Sequence, residues 1–139
     1  MAKAPKSQTG DSLMAKIESV AAFFIVSDGE YQGKVLLQKR SNYKGQSNAG
    51  ICQATCNGKL EPGEDVMSAL KRETKEELGK RFANAINFAK LKRFYTGTYT
   101  LKREFALGHN LYGYITDAHR KLIKIHAEAE PEFVMVSPE

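Results

Sequence analysis

Residues 64–78 contain neither Pro nor Gly, and Gly79 follows them directly as a helix stop signal. On a helical wheel drawn at about 100° per residue, this segment has one apolar side. That side carries Val66, Met67, Leu70 and Leu78, with Thr74 among them. The sequence therefore predicts an amphipathic helix over residues 64–78. Any fold adopted by this chain has to cover the apolar side of that helix.

Six further segments are predicted as strands, and the fourth and fifth of them are rich in β-branched and aromatic residues. They are residues 17–27, 34–40, 51–57, 86–100, 104–116 and 133–136. Residues 58–63 form a loop that leads into the helix, and residues 117–121 a loop or a short helical turn. Several strands around one strong helix indicate an α/β or α+β domain.

The chain has 139 residues, which suits one domain at about 100–200 residues per domain. Residues 1–16 are polar, small and basic, so we expect a flexible N-terminal segment followed by one domain over residues 17–139. No apolar run reaches the length of about 18 residues that a membrane span needs, so a membrane is not an expected partner.

The two cysteines and the charge balance bear on compartment and ligand. Cys52 and Cys56 lie four apart on one predicted strand, about 13 Å from each other, and cannot bridge there. This favours a reducing, cytoplasmic compartment. The net charge of +5 suits a polyanionic substrate or weak nucleic-acid binding, and equally an ordinary soluble basic surface.

Three acidic residues occupy unusual positions on the helix. Glu73 and Glu77 fall inside or at the edge of the apolar arc, and Glu76 lies on its flank. Burying an ionised carboxylate without a partner costs several kcal/mol, and clustered carboxylates raise each other's pKa. A divalent cation answers both problems, and oxygen ligands without His or Cys favour Mg²⁺ or Mn²⁺. The alternative is a solvated acidic face that pairs with the neighbouring basic residues, Lys71, Arg72 and Lys75.

The loop and helix together resemble the Nudix box, G-x5-E-x7-R-E-U-x-E-E-x-G-U, where U is a bulky aliphatic residue. Every glycine and charged position of that motif is matched, by Gly58, Glu64, Arg72, Glu73, Glu76, Glu77 and Gly79. Two aliphatic positions differ, since Thr74 and Lys80 stand there. The motif covers about a sixth of the chain, and the order of the flanking strands extends the resemblance to residues 17–139.

The resemblance implies a Nudix-type α/β/α sandwich with a mixed β-sheet. It also implies a hydrolase that cleaves a pyrophosphate bond in a nucleoside diphosphate linked to another moiety, with Mg²⁺ or Mn²⁺ as cofactor. Family members usually continue past the last strand into a closing helix, whereas this chain stops at Glu139. Either that helix is missing here, or the cleft is closed in another way, for example by a homodimer.

The resemblance also implies a role for each residue that matches the Nudix box. Glu73, Glu76 and Glu77 would be the metal-binding and catalytic set, with Glu76 or Glu77 orienting or deprotonating the water. Gly58 would offer its backbone carbonyl to a metal. Gly63 would permit the tight approach to the helix that ends at Gly79.

Further residues complete the set that the resemblance implies. Glu64 and Arg72 would form a structural ion pair that holds the loop against the helix. Arg40, at the end of a predicted strand, resembles an arginine that often reaches the substrate phosphates. Some members use a base from a later loop, for which Glu128 and Glu130 are the candidates.

Two alternatives to a nucleotide hydrolase stay open. The first is a non-catalytic nucleotide-sensing or nucleic-acid-binding module on the same fold, although no stable nucleic-acid partner is expected for the hydrolase itself. The second, minor alternative is an isopentenyl-diphosphate isomerase, which shares the fold and has a catalytic Cys in a region comparable to Cys56. In those enzymes the R-E-x-x-E-E core is altered, whereas here it is intact.

Overall fold

The computed structural model describes residues 17–39, 52–101, 104–124 and 132–137. Their strands are β1 (Ile17–Val26), β2 (Val35–Lys39), β3 (Cys52–Gln53), β4 (Cys56–Lys59), β5 (Lys92–Leu101), β6 (Glu104–Ile115) and β7 (Glu132–Val136). Their helices are α1 (Val66–Leu78), α2 (Lys80–Ala85), a short 3₁₀ turn (Phe88–Lys90) and α3 (Asp117–Arg120). The predicted α/β class with a mixed sheet is confirmed.

The strands form one mixed sheet in the order β3-β2-β1-β6-β5, in which β4 also pairs with β1 and β7 with β2. β1 lies at its centre, parallel to β6 and antiparallel to β2 and β4. The register places Val20 beside Gly58 on one side and beside His109 on the other. This pairing brings the start of the α1 loop, at the end of β4, against the middle of the sheet.

The hydrophobic core lies between one face of the sheet and the helices α1 and α2. Alternate residues of β1, among them Val20 and Phe24, point into it, as expected for a strand with one buried face. The Phe82 ring of α2 meets Phe24 edge-to-face, with 5.4 Å between ring centroids. On α1, Ala69, Leu70, Thr74 and Leu78 are buried, and Val66 and Met67 pack against the core from its margin. The predicted core side of this helix is confirmed.

Several predicted boundaries were wrong. The box helix begins at Val66 instead of residue 64, because the Asp65 side chain accepts a hydrogen bond from the Ser68 N–H and caps the helix. Residues 51–57 do not form one strand: Cys52 lies in β3 and Cys56 in β4, with a break at Ala54 and Thr55. Cys56 is a buried free thiol, but the single-strand spacing from which the absence of a bridge was predicted does not hold.

Other corrections concern the segments on either side of the helix. Gly58 belongs to β4 and not to the loop. The chain turns into α2 directly after Gly79, a helix that the sequence analysis missed. The strand expected from residue 86 starts only at Lys92, because Asn87 caps the 3₁₀ turn that precedes it.

In the part of the chain that the structure describes, no helix has the length and apolar character needed to cross a membrane.

Candidate active site

A tight turn connects β4 to α1. The Glu64 N–H donates to the Glu61 carbonyl oxygen over 2.9 Å, with Pro62 and Gly63 between them. Gly63 has φ of 79°, the left-handed value that the third residue of a type II turn requires. The Glu61 N–H in turn donates to Oε1 of Glu64 over 2.8 Å. The turn thus fixes where the Glu64 carboxylate points.

That carboxylate receives the guanidinium of Arg72 in a two-pronged ion pair. Arg72 Nε lies 2.9 Å from Glu64 Oε2, and a terminal nitrogen lies 3.0 Å from Oε1. The same terminal nitrogen donates to the Lys59 carbonyl oxygen over 2.9 Å. The hydrogen bonds between the two side chains lower the pKa of Glu64 and raise the pKa of Arg72. One side chain therefore ties the end of β4, the turn and the helix together.

The other end of the Arg72 guanidinium faces the acidic set. It donates to Glu73 Oε2 over 2.9 Å and reaches Glu76 Oε1 at 3.5 Å. The Glu73 side chain is only 12% exposed, whereas that of Glu76 is 58% exposed. Burial raises the pKa of Glu73, and the hydrogen bond from Arg72 opposes that rise. Glu73 thus lies inside the protein and Glu76 at its rim.

Gly58 makes room for Glu73. A β-carbon placed on Gly58 would lie 2.1 Å from Glu73 Cδ and 2.2 Å from its Oε2. Real atoms do not approach so closely, so any side chain at position 58 would displace the carboxylate. This close contact with Glu73 explains why the motif has a glycine at this position.

Glu77 is the second buried acid of α1. The Asn57 N–H donates to its Oε1 over 3.2 Å. Burial raises the pKa of Glu77 to about 7, and the negative charge of Glu73 adds to the rise. Both effects express the cost of placing two carboxylates together in a region of low dielectric. A cation placed between these acids would reduce the free-energy cost of their buried negative charges.

Three residues around Glu77 were not predicted as part of this site, although Cys56 was considered as the nucleophile of an isomerase. The side chains of Gln38 and Cys56 lie within hydrogen-bonding reach of its carboxyl group, and Asn57 contributes the backbone N–H already described. Burial raises the pKa of the Cys56 thiol well above its usual value, so this thiol stays protonated. The signal for Gln38 was present: it alternates with the buried Leu36 on β2 and therefore shares its inward face.

Gly79 ends the box helix. Its φ of 97° disfavours any other residue, and its N–H donates to the Lys75 carbonyl oxygen over 3.1 Å. The N–H of Lys124 donates to the Leu78 carbonyl oxygen over 2.9 Å. Both contacts satisfy carbonyl groups that a helix end leaves open.

The structure brings most of the predicted residues together. Gly58, Glu73 and Glu77 meet at the inner side of α1, and Glu64, Arg72 and Glu76 surround them. Arg40, Glu128 and Glu130 lie outside the described residues.

The oxygen atoms at this site are of the kind that a divalent cation requires. Mg²⁺ and Mn²⁺ take oxygen ligands, and the two inward carboxylates supply them beside the backbone of Gly58. Within residues 17–39, 52–101, 104–124 and 132–137, no three His, Cys, Asp or Glu side chains are already arranged as a complete cage. Glu76, the third carboxylate of the motif, lies 3.5 Å from a terminal nitrogen of Arg72. The chemistry of the residues therefore fits such an ion.

The family is established by comparison. The NUDIX domain family model matches residues 17–139, which is most of the chain. The chain therefore belongs to the Nudix family, as its box predicted. A protein of Yersinia pestis described as an uncharacterized Nudix hydrolase is 35% identical over 75 residues, 54% of this chain. The matched part is only 38% of that relative's length.

Solved structures share the fold. The solution structure of the Escherichia coli ORF135 protein has a TM-score of 0.61 at 25% identity, covering 94% of this chain and 79% of that one. The NUDIX domain of Shewanella oneidensis NrtR, complexed with ADP ribose, has a TM-score of 0.62 at 13% identity, covering 94% and 78%. A MutT protein from Methanosarcina mazei has 0.56 at 22% identity, covering 87% and 76%. All three resemble this chain in architecture.

Proposed function

We propose that this protein is a divalent-metal-dependent hydrolase that cleaves a pyrophosphate bond in a nucleoside diphosphate linked to another moiety. One observation carries the proposal: Glu73 and Glu77, two carboxylates of the Nudix box, are held inside the protein beside Gly58. Arg72 compensates only one of these two charges, so the arrangement is costly unless a further positive ion shares the space. A solvated acidic face would place these side chains in water instead.

Glu73, Glu76 and Glu77, with the Gly58 carbonyl, would hold Mg²⁺ or Mn²⁺. When bound, the ion would screen the phosphate oxygens, lower the pKa of a water molecule and stabilise the leaving phosphate. The protein itself contributes position. Arg72 anchors the helix to the turn, and the Asn57 N–H fixes one oxygen of Glu77.

Glu77 is the better candidate for the group that takes the proton from water. A general base works best when its pKa lies near the working pH, and burial brings the pKa of Glu77 to about 7 in the metal-free protein. A bound cation would lower that pKa, so Glu77 would act as the base only while it does not ligate the ion directly. Glu76 is largely exposed and in contact with Arg72, which suits a metal ligand at the rim. The two roles are separable, because loss of a base changes the acidic limb of the pH profile of kcat and loss of a ligand raises the metal requirement.

A nucleotide-type substrate is supported by charge. The net charge of +5 favours polyanions, and the Shewanella oneidensis domain of the same fold was solved with ADP ribose. Arg40 is proposed to contact the phosphates. A cytoplasmic location is supported by the free Cys56 thiol, which suits a reducing compartment.

A substrate screen tests this proposal. Nucleoside triphosphates, oxidised nucleotides, sugar nucleotides and dinucleoside polyphosphates would be incubated with Mg²⁺ or Mn²⁺, and the release of phosphate or nucleoside monophosphate would be measured. Glu77→Gln should lower turnover at least about a hundredfold, within the range of general-base loss, while the fold is kept. Glu30→Gln, an exposed glutamate in the β1–β2 turn, is the matched control and should retain full activity.

A non-catalytic sensing module remains the second candidate, favoured by the exposed aromatic side chains of the sheet. Tight binding of a nucleotide without metal-dependent cleavage of any compound in the screen would establish it. Equal turnover in Glu77→Gln and the parent protein would overturn the assignment of the metal site.

A further inference from the structure

The face of the sheet opposite α1 carries a row of aromatic side chains. Alternation along β1 and β6 directs the core residues toward the helices and their neighbours to this second face. We call it the aromatic face and define it by Phe23, Phe94, Tyr95, Tyr112 and Tyr114. It lies across the sheet from the carboxylates of α1, so the inference drawn from it does not depend on the proposed function.

Four of the five rings contact one another, and three of the five are exposed to solvent. Phe94 meets Phe23 at 5.7 Å and Tyr112 at 5.9 Å, and Tyr112 meets Tyr114 at 6.3 Å between ring centroids. Phe94 is 55% exposed, Tyr95 61% and Tyr114 68%. Single exposed aromatic residues are ordinary, but a contiguous exposed row indicates an interaction surface.

A local irregularity adds one ring to this face. The register between β5 and β6 shifts between Arg93 and Tyr95, so Phe94 and Tyr95 both lie on the aromatic face instead of alternating. The Tyr95 ring covers Gly97, where a β-carbon would lie 2.4 Å from the ring. Two features of β5, the bulge and a glycine, thus present neighbouring rings side by side.

Basic side chains border the rings. Lys90 and Lys92, with Tyr112 and Tyr114, line a hollow of about 330 Å³. Next to it a groove of about 530 Å³ is lined by Phe23, Phe94 and Tyr112 together with aliphatic side chains. Among the described residues, no carboxylate pairs with either lysine, and no Asp or Glu lines either cavity. The face is therefore aromatic and positively charged.

We propose that the aromatic face binds single-stranded nucleic acid, with bases stacked on Phe94, Tyr112 and Tyr114 and phosphates held by Lys90 and Lys92. Stacking platforms flanked by positive charge are the usual means of binding unpaired strands, because every base has a π-face. This departs from the expectation, made from the sequence, of no stable nucleic-acid partner. Neither the bulge nor the exposure of the rings can be read from the sequence.

Charge argues against a second copy of the chain as the occupant. In a two-fold dimer each patch meets its own counterpart or a close neighbour. Lys90 and Lys92 would then face the same lysines with no described acidic residue to pair with, and like charges across an interface are unfavourable. A polyanion meets no such cost.

Fluorescence anisotropy with labelled oligothymidine and oligouridine of about 12 nucleotides tests the proposal, since such lengths span typical stacking sites. Both probes should bind at low salt, weaken as salt rises, and bind better than a duplex of the same length. Phe94→Ala and Tyr114→Ala should each weaken binding about fivefold or more. Phe105→Ala is the matched control, because Phe105 is an exposed aromatic of β6 on the other face.

A charge variant gives a second readout. Lys92→Gln should reduce the slope of log affinity against log salt by about one, as for a lost phosphate contact. Lys80→Gln, on α2 across the sheet, should leave that slope unchanged. Glu77→Gln should bind the probes like the parent protein, because its site lies on the opposite face. Circular dichroism melts would confirm that each variant is folded.

Several outcomes would overturn the proposal. These are absence of binding to either probe, equal losses in Phe94→Ala and Phe105→Ala, or loss of binding in Glu77→Gln. A dimer in sedimentation that Tyr114→Ala dissociates, with no affinity for the probes, would assign the face to a second copy instead.

Discussion

Gly58 and Glu73 are in direct contact across the interface between β4 and α1. The contact leaves no space for a β-carbon, which would lie 2.1 Å from the carboxylate carbon. Gly58 is needed at this position because it has no side chain that would displace Glu73.

Gly58→Ala should remove activity and metal binding more than it removes stability. The added methyl group would push the Glu73 carboxylate out of its position, while the backbone of β4 has no need of a positive φ there. Turnover of the substrate found in the screen and the melting temperature would be measured together. A variant that keeps full turnover would contradict the view that Gly58 positions Glu73.

Glu77→Gln should stabilise the metal-free protein at high pH. Burial raises the pKa of Glu77 from 4.5 to about 7, so the folded state binds this proton more tightly than the unfolded state does. Stability should accordingly fall as the pH rises from about 4.5 to about 7, and the glutamine variant should escape that loss. At about 1.4 kcal/mol per pH unit between the two pKa values, the gain is at most about 3.5 kcal/mol. Urea denaturation in EDTA at pH 5 and pH 8 would measure it, and the opposite sign would contradict the burial of an uncompensated acid.

Mg²⁺ or Mn²⁺ should raise the melting temperature of the parent protein. A ligand that binds only the folded state stabilises it, and protons compete with the metal for Glu73 and Glu77. The shift should therefore grow between pH 6 and pH 8 and be nearly lost in Glu77→Gln. Glu30→Gln should respond like the parent protein. A shift of equal size in the parent protein and in Glu77→Gln would show that the ion binds elsewhere.

Thr74→Val should leave stability almost unchanged. The Thr74 hydroxyl is fully buried, donates to the Leu70 carbonyl oxygen over 2.7 Å and lies 3.6 Å from Cys56 Sγ. That carbonyl is a helical acceptor in any case, so a methyl group of the same size should cost less than about 1 kcal/mol. Thr74→Ala, which leaves a cavity, should cost more. A large loss in Thr74→Val by urea denaturation would show that the hydroxyl is needed.

The inward acids could be predicted because helical periodicity fixes which residues share a side. Leu70, Leu78 and Glu77 follow from the wheel alone, as does the core side of α1. The exact start of the helix did not follow, since Asp65 and Glu64 are both suitable near a helix start and only the hydrogen bond to the Ser68 N–H decides between them.

Features that depend on tertiary packing could not be predicted. The α2 helix begins directly after Gly79, and a glycine stop gives no sign that a second helix follows. The close approach of Gly58 to Glu73 depends on how β4 pairs with β1. The register shift beside Phe94 depends in the same way on the pairing of β5 with β6.

Arg72 joins three parts of the chain, because one guanidinium contacts Lys59 at the end of β4, Glu64 in the turn and Glu73 on α1. Substitutions of Arg72 or its partners will alter the fold and the catalytic site together. A loss of activity in such a variant therefore does not show which of the two has changed. Directed evolution for new substrates should accordingly leave Arg72 and the residues it contacts unchanged. Diversity would be better placed in segments whose loss leaves the scaffold intact.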